Sequence, residues 1–257
     1  MTFSVWWVAY YTILRKEVTR FMRIWQQTLI PPVVTTSLYF VIFGNLIGPR
    51  IGQMEGHRYM DFIVPGLILM SVITNSYANT SSSFFSAKFQ KSIEELLVSP
   101  TPNWVILAGY VSGGVCRGIL VGLIVTGVSL VFSKLTIHNM TVMMTVIVLT
   151  AVLFALAGFL NGMFARKFDD IAIVPTFILT PLTYLGGIFY SIKLLPDFWQ
   201  LVSHFNPILY MINAFRYGFL GVSDIQLGWS YVIILAFTVA LFRINLVLLY
   251  RGYGIRT

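Results

Sequence analysis

Six apolar runs, each long enough to cross a bilayer, constrain the fold of this 257-residue chain more than any other feature. A helix needs roughly 20 apolar residues to span the hydrocarbon. The runs predict six transmembrane spans: Thr28–Ile47, Phe62–Ser82, Val111–Phe132, Met140–Phe164, Ile171–Tyr190 and Trp229–Leu249. We therefore predict an all-α integral membrane protein, with residues 1–257 forming a single transmembrane domain.

The composition excludes a soluble domain and several kinds of chemistry. Hydrophobic residues make up 57% of the chain and charged residues 10%, which is too little charge to keep a soluble surface wet. The net charge is +8, but the basic residues lie at the ends of apolar runs, where anionic headgroups explain them better than nucleic acid does. The single cysteine, Cys116, lies in an apolar run, and the three histidines lack metal-ligand spacing. We expect neither a metal nor a cofactor.

The distribution of basic residues predicts the orientation. An even number of spans places both termini on the same side. Ten lysines and arginines flank the runs on that side, and five lie on the opposite side: Arg50, Arg58, Lys134, Lys193 and Arg216. Because positive residues favour the cytoplasm, we predict that both termini are cytoplasmic.

The segment before span one predicts an amphipathic helix lying along the inner membrane surface. Ile13 and Phe21 lie on its apolar side, and Arg15 and Arg20 face the headgroups. Such a helix is either a simple interfacial anchor or also a contact for a partner. Pro31 and Pro32 follow and suit the opening of span one, because a first helical turn does not need their missing amides.

A second unusual segment, residues 191–223, lies between spans five and six. It is too apolar for an exposed loop, and Pro207 divides it into halves too short to cross the membrane. We predict a pair of short re-entrant helices. Backbone of this kind must be covered by protein, which implies a surrounding bundle or oligomer.

Span three carries two features with competing interpretations. Gly114, Gly118 and Gly122 recur at four-residue spacing, a pattern that lets helices approach closely. Packing within the subunit is favoured over a dimer interface. Arg117 lies near the predicted cytoplasmic start of the span, so we expect its side chain to snorkel inward rather than to act as a buried functional charge.

Polar side chains form a stripe on each of two spans. Span two carries Ser71, Asn75, Asn79 and Ser82 at helical spacing, and span five carries Thr176, Thr180, Thr183 and Gly187. Polar groups in lipid are costly unless they meet each other or water. The stripes are either glue between helices or the wall of a translocation path. We favour the path, because two prolines also make span five easy to bend.

A polar segment, KFQKSIEELLVSPTP (88–102), separates spans two and three and is well placed to receive a push from a cytoplasmic partner. Ser92 and Glu95 suggest a capping box that starts a short helix, and Pro100 stops it. This helix offers apolar and acidic side chains to a partner: Leu96, Leu97, Glu94 and Glu95.

The chain has no energy-coupling or catalytic motif of its own. No GxxxxGK[ST] loop, no pair of intramembrane carboxylates and no nucleophile–base pair occurs in the sequence. We therefore expect a non-enzymatic subunit whose energy comes from a partner.

Five segments carry a resemblance to a known family: VIFGN (41–45), FIVPGLILMSVITNSYAN (62–79), FQKSIEELLVSP (89–100), FDDIAIVPTFILTPLTYLGGIFYS (168–191) and LLPDFWQLVSHFNPILYMINAFRYGFLG (194–221). They resemble the membrane subunits of ABC-2-type transporters, most closely the small YadH-like permeases of Gram-negative bacteria. The resemblance implies a type V exporter fold with an N-terminal connecting helix, located in a bacterial inner membrane. It also implies a homodimer carrying two copies of a separately encoded ATPase.

The same resemblance assigns roles to two regions. The segment 92–99 would be the coupling helix that docks on the ATPase. The translocation path would lie at the dimer interface, lined by spans two and five, which are the spans with the polar stripes. The apolar, aromatic-rich spans favour an amphipathic or lipid-linked substrate. The alternative is a channel, or a non-transporting membrane component of a signalling complex. A neighbouring reading frame encoding an ATPase would favour export.

Overall fold

The computed structural model describes residues 3–253, and helices dominate that range. The helices and strands follow in this order: α1 (Phe3–Arg23), α2 (Trp25–Ile51), β1 (Gln53–Met54), β2 (His57–Arg58), α3 (Tyr59–Phe89), α4 (Ser92–Val98), α5 (Asn103–Phe132), α6 (Met140–Phe164), α7 (Phe168–Leu185), α8 (Asp197–His204), α9 (Pro207–Leu220) and α10 (Leu227–Arg251). The strands β1 and β2 form a short antiparallel hairpin.

Six of these helices are long and apolar enough to cross a membrane, which confirms the six predicted spans: α2, α3, α5, α6, α7 and α10. Several boundaries differ from the prediction, the largest difference being the start of α5 at Asn103 instead of Val111, and two of the others have a structural reason. Helix α3 extends past Ser82 to Phe89 because its end is covered by other helices and needs no hydrocarbon around it. Helix α7 ends at Leu185, since Gly187 adopts a left-handed conformation with φ of 78° and turns the chain.

The two prolines of span one lie inside the helix and not at its opening, so that prediction was wrong. The break after α1 falls at Ile24, and α2 therefore begins at Trp25, ahead of Pro31 and Pro32. Inside a helix, these prolines remove the amides that would otherwise pair with the carbonyls of Gln27 and Thr28. Span one also contains π-helical turns over Phe40–Ile47.

Helix α3 is the central element of the bundle, and most of its length is buried. The glycine stripe of α5 packs against it, as predicted for contacts within the subunit. A methyl group on Gly114 would lie 2.9 Å from the Ser76 carbonyl oxygen, and one on Gly122 would lie 2.7 Å from the Val72 side chain. On the side of α6, Gly158 approaches the backbone of α3 equally closely.

Helix α1 packs along α5, and two further glycines admit it. A methyl group on Gly109 would lie 2.8 Å from Ile13 Cβ, and one on Gly113 would lie 2.9 Å from Glu17 Cγ. The buried side of α1 is therefore formed by Ile13, Glu17 and Phe21. This side differs from the predicted one, because a carboxylate lies in the middle of it.

Two short helices, α8 and α9, occupy the segment after α7, and the chain breaks between them at Asn206 as predicted. Helix α9 is mostly buried, and its Arg216 is 1% exposed. The guanidinium lies 3.8 Å from the centre of the Phe62 ring and donates to the Gly187 carbonyl. Counting Arg216 among the basic residues that flank the spans was therefore wrong, because it is buried inside the bundle. How deeply α8 and α9 enter a membrane stays a prediction.

Candidate functional site

Helix α4 stands at the end of the bundle where α3 finishes and α5 begins. Ile93 anchors it with 1% exposure, whereas Glu94, Glu95 and Val98 are exposed, Val98 by 87%. Leu96 is half-buried, and the side chain of Leu97 lies outside the described part of the structure. The helix thus has one buried anchor and an open acidic and apolar surface.

The predicted capping box of α4 is absent. The residue before the helix is Lys91, in a left-handed conformation with φ of 58°, and it makes no side-chain cap. Ser92 is already inside the helix, and its hydroxyl donates to the Ala87 carbonyl at 3.2 Å. The tight turn after α3 brings Ser92 back over the last turn of that helix, so the hydroxyl meets an unpaired carbonyl there. The helix ends at Val98, before Pro100, as predicted.

The base of α4 is connected to two other spans. The rings of Phe85 and Phe89 in α3 lie 4.9 Å and 5.1 Å from the ring of Phe168, the first residue of α7. Lys88 Nζ donates to the carbonyls of Met163 and Ala165 at 2.7 and 2.8 Å, at the end of α6. These contacts belong to the end of α3, to which α4 is joined by the Ser92–Ala87 hydrogen bond, so a displacement of α4 would reach α6 and α7 through α3.

The polar stripe of α3 is buried and hydrogen-bonded to three neighbouring helices. The Ser71 hydroxyl lies 3.2 Å from that of Thr36 in α2. The Asn75 side-chain oxygen accepts from Arg117 in α5 at 3.1 Å. The side of α3 that reaches the surface consists of Met70, Thr74 and Ala78. Each of these residues immediately precedes a residue of the predicted stripe.

The Asn79 side chain belongs to a second buried group, which sequence reasoning missed. Its oxygen accepts from Arg20 Nη2 at 2.9 Å, and Arg20 also lies 3.4 Å from the buried Glu17 carboxylate. The Ser83 hydroxyl donates to the other Glu17 oxygen at 2.5 Å. Arg20 was expected to face headgroups, and it faces α3 because Glu17 and Asn79 supply acceptors there. Glu17 lies four residues from both Ile13 and Phe21, a spacing that indicates the buried side.

A cavity of about 320 Å³ lies between α2, α3 and α5. Its walls combine hydroxyls, amides and apolar groups: Gln27, Thr28, Pro31, Pro32, Thr35, Thr36, Tyr39, Leu67, Met70, Ser71, Thr74, Asn75, Ala78 and Arg117. Arg117 follows the start of α5 by fourteen residues, or roughly 21 Å at about 1.5 Å per residue. It therefore lies near the middle of the span and bonds to Asn75. The prediction that it snorkels to the membrane surface was wrong, because Asn75 supplies an acceptor inside the bundle.

The three candidate threonines of α7 do not share one environment. Thr176 and Thr180 are exposed, whereas Thr183 is buried and donates to the Leu179 carbonyl at 2.6 Å. A π-helical turn over Pro175–Leu179 changes the helical register between them. None of the three lines the cavity beside Arg117, so a single subunit does not bring the two stripes into one wall.

The opposite end of the bundle is closed by an ionic cluster. Lys193 lies 3.1 Å from the Asp224 carboxylate and 3.3 Å from that of Glu55 in the β-hairpin turn. The Ser191 hydroxyl donates to Asp224 at 3.0 Å. The hydrogen bond to Asp224 raises the pKa of Lys193. This cluster joins the hairpin to the segments before and after α8 and α9.

The fold and these features define a class: a multi-pass helical membrane protein of the permease type, with an exposed helix between its second and third spans. The ABC-2 type transporter family matches residues 8–220, and the chain belongs to that family. The protein is the membrane permease component of an ABC-2 transporter and lies in the inner membrane. Such a permease works with an ATPase partner.

Individual relatives cover nearly the whole chain. It is 61% identical over 253 residues to the inner membrane transport permease YadH of Escherichia coli strain K12, which covers 98% of this chain and 99% of the relative. It is 22% identical over 249 residues to nodulation protein J of Rhizobium meliloti, covering 95% and 93% of the two chains. Nodulation protein J of Sinorhizobium fredii is 24% identical over 182 residues, covering 70% and 69%.

Proposed function

We propose that this protein is the membrane-spanning subunit of an ATP-driven exporter and that it is coupled through α4 to a separate ATPase. In the proposed assembly two copies form a homodimer, each binding one ATPase, and both termini are cytoplasmic. The observation that carries the proposal is the form of α4. It is held by Ile93 and otherwise presents Glu94, Glu95 and Val98 to the surroundings. A surface of this kind suits a partner with a basic rim and an apolar centre.

The contacts at the end of α3, directly before α4, support a coupling role. The cluster of Phe85, Phe89 and Phe168 connects α3 to α7, and the Lys88 hydrogen bonds connect α3 to the end of α6. Helix α7 is suited to movement, because it is little buried and contains two prolines and a π-helical turn. Rotation of α4 on the ATPase would thus be passed to a helix that bends easily.

The translocation path is proposed to lie between two copies of the chain. Its candidate residues are Ser71, Asn75 and Asn79 of α3 with Thr176, Thr180 and Thr183 of α7. Exposure of Thr176 and Thr180 supports a role for α7 at a surface between copies. Apolar side chains surround them, Phe177 being 73% exposed, which favours an amphipathic or lipid-like substrate.

The proposal is tested by reversing the charge of α4 in the double variant Glu94→Lys/Glu95→Lys. If both carboxylates face a basic rim, the mismatch costs roughly 2–5 kcal/mol, which weakens ATPase binding roughly 30-fold or more. The measurement is co-purification of the permease with its candidate ATPase. Asp197→Lys is the matched control, because Asp197 is exposed at the opposite end of the bundle. Undiminished ATPase capture by the double variant would contradict the proposal.

A further inference from the structure

The charges around the polar stripe of α3 do not balance. Within residues 3–253 the stripe meets two guanidinium groups, Arg20 and Arg117. The carboxylate of Glu17 lies 3.4 Å from Arg20 and is further bound by Ser83. No Asp or Glu of the described residues lies within 4.0 Å of an Arg117 nitrogen. One positive charge is therefore left without a counter-ion at mid-span depth, where an isolated charge is costly.

The hydrogen bonds of Arg117 are incomplete as well. A guanidinium carries five N–H donors. Among the described residues, Arg117 Nη2 donates to Asn75, whereas its Nε is buried and has no acceptor. A buried donor without an acceptor carries its full desolvation cost. An anionic oxygen is the acceptor that offsets most of this cost, because hydrogen bonds to charged acceptors are the strongest. Charge and hydrogen bonding thus indicate the same kind of ligand.

The cavity beside Arg117 has the size and the walls for such a ligand. Its volume of about 320 Å³ accommodates a phosphate, sulfate or carboxylate head with a few methylene groups. The hydroxyls of Thr35 and Thr74 lie in its wall, and Pro31, Thr35 and Ala78 form an exposed mouth. Continuing along the same side of α2, Val34 and Leu38 are 59% and 58% exposed and provide an apolar track.

We infer that this cavity binds the anionic head of an amphiphile, with the head on Arg117 and the apolar tail along α2. The inference rests on the proposed function, because it takes the bound molecule to be the exporter's substrate. It assigns that substrate to the anionic amphiphiles with a single charged head. Asn75 positions the guanidinium, and Arg117 selects for negative charge.

The test uses the permease alone, purified in phosphatidylcholine nanodiscs, so that it does not depend on the ATPase. The probes are dansyl-labelled undecanoic acid and its methyl ester, which differ in charge and share the same tail. The wild-type protein should bind the acid roughly tenfold or more tightly than the ester. Arg117→Gln should remove this preference, and Arg117→Lys should retain most of it. Arg243→Gln is the control, because Arg243 is exposed on α10.

A nearly isosteric variant provides a second test if Arg117→Gln does not fold. Asn75→Asp places a carboxylate 3.1 Å from Arg117 and should weaken binding of the acid without affecting the ester. Equal binding of acid and ester by the wild type, or unchanged preference in both variants, would overturn the inference. Phosphatidylglycerol added to the nanodiscs identifies the source of the head: displacement of the probe indicates a membrane phospholipid, and no displacement indicates another amphiphile. Selective binding without any probe effect on ATP turnover in the complex would contradict the assignment of the bound molecule as the substrate and leave the site intact.

Discussion

A close backbone contact between α3 and α6 predicts a large effect of a single methyl group. A methyl on Gly158 of α6 would lie 3.0 Å from the carbonyl carbon and 3.1 Å from the Cα of Tyr77, with the carbonyl oxygen nearer still. These are backbone atoms, so no side-chain rotation relieves the clash, and α3 and α6 must move apart. Overpacking costs about 1–3 kcal/mol, which outweighs the gain of about 1 kcal/mol from replacing a helical glycine by alanine.

The measurement is thermal unfolding of purified Gly158→Ala, followed by tryptophan fluorescence in detergent. After the gain of about 1 kcal/mol is subtracted, a net loss of up to about 2 kcal/mol corresponds to a decrease in Tm of up to roughly 8 °C for a chain of this size. Gly127→Ala is the matched control, since a methyl on Gly127 meets nothing within 4 Å, and its Tm should stay the same or rise. A Gly158→Ala protein as stable as Gly127→Ala would refute the packing of α3 against α6.

Two further predictions concern topology and the buried carboxylate. In a Cys116→Ala background, an impermeant thiol reagent added to intact spheroplasts should label Gln53→Cys, and it should label Lys91→Cys only after permeabilisation. The reverse labelling pattern would contradict cytoplasmic termini. Labelling of both positions from the same side would contradict six spans. Glu17→Gln should lower the free energy of unfolding by about 1–3 kcal/mol, because the buried carboxylate accepts charged and hydroxyl hydrogen bonds. Glu94→Gln, at an exposed position, should not, and equal stability of the two variants would contradict this role of Glu17.

The number of spans was predictable because a run of about 20 apolar residues is stable only in the hydrocarbon of a membrane, and such runs can be counted in the sequence. The short helix at residues 92–98 was predictable for the same reason, since a polar segment between two spans must lie outside the hydrocarbon. The glycine stripe predicted close packing, and packing within the subunit was the favoured interpretation. In each case the signal is local and repeats along one segment.

The pairings of polar groups were not predictable, because they depend on which helices meet. Arg117 has the sequence context of a snorkelling residue, and only the approach of α3 supplies Asn75. Arg216 lies outside the six apolar runs of the sequence, which suggests a position near the membrane surface. In the structure α9 is buried and Arg216 packs on the Phe62 ring. Glu17 was also missed, although its spacing of four residues from Ile13 and Phe21 is a signal in the sequence for the buried side. Whether the stripes of α3 and α7 form a path stays a prediction.

The most direct test of the account is ATP-driven transport in inside-out membrane vesicles that contain the permease and its ATPase. The dansyl-labelled undecanoic acid is added outside, and its accumulation in the lumen is followed by fluorescence. The account predicts accumulation that requires ATP and is lost both with a hydrolysis-deficient ATPase and with the variant Glu94→Lys/Glu95→Lys. Entry of the probe that requires the permease but proceeds equally without ATP, or with the hydrolysis-deficient ATPase, would indicate a channel and contradict the account.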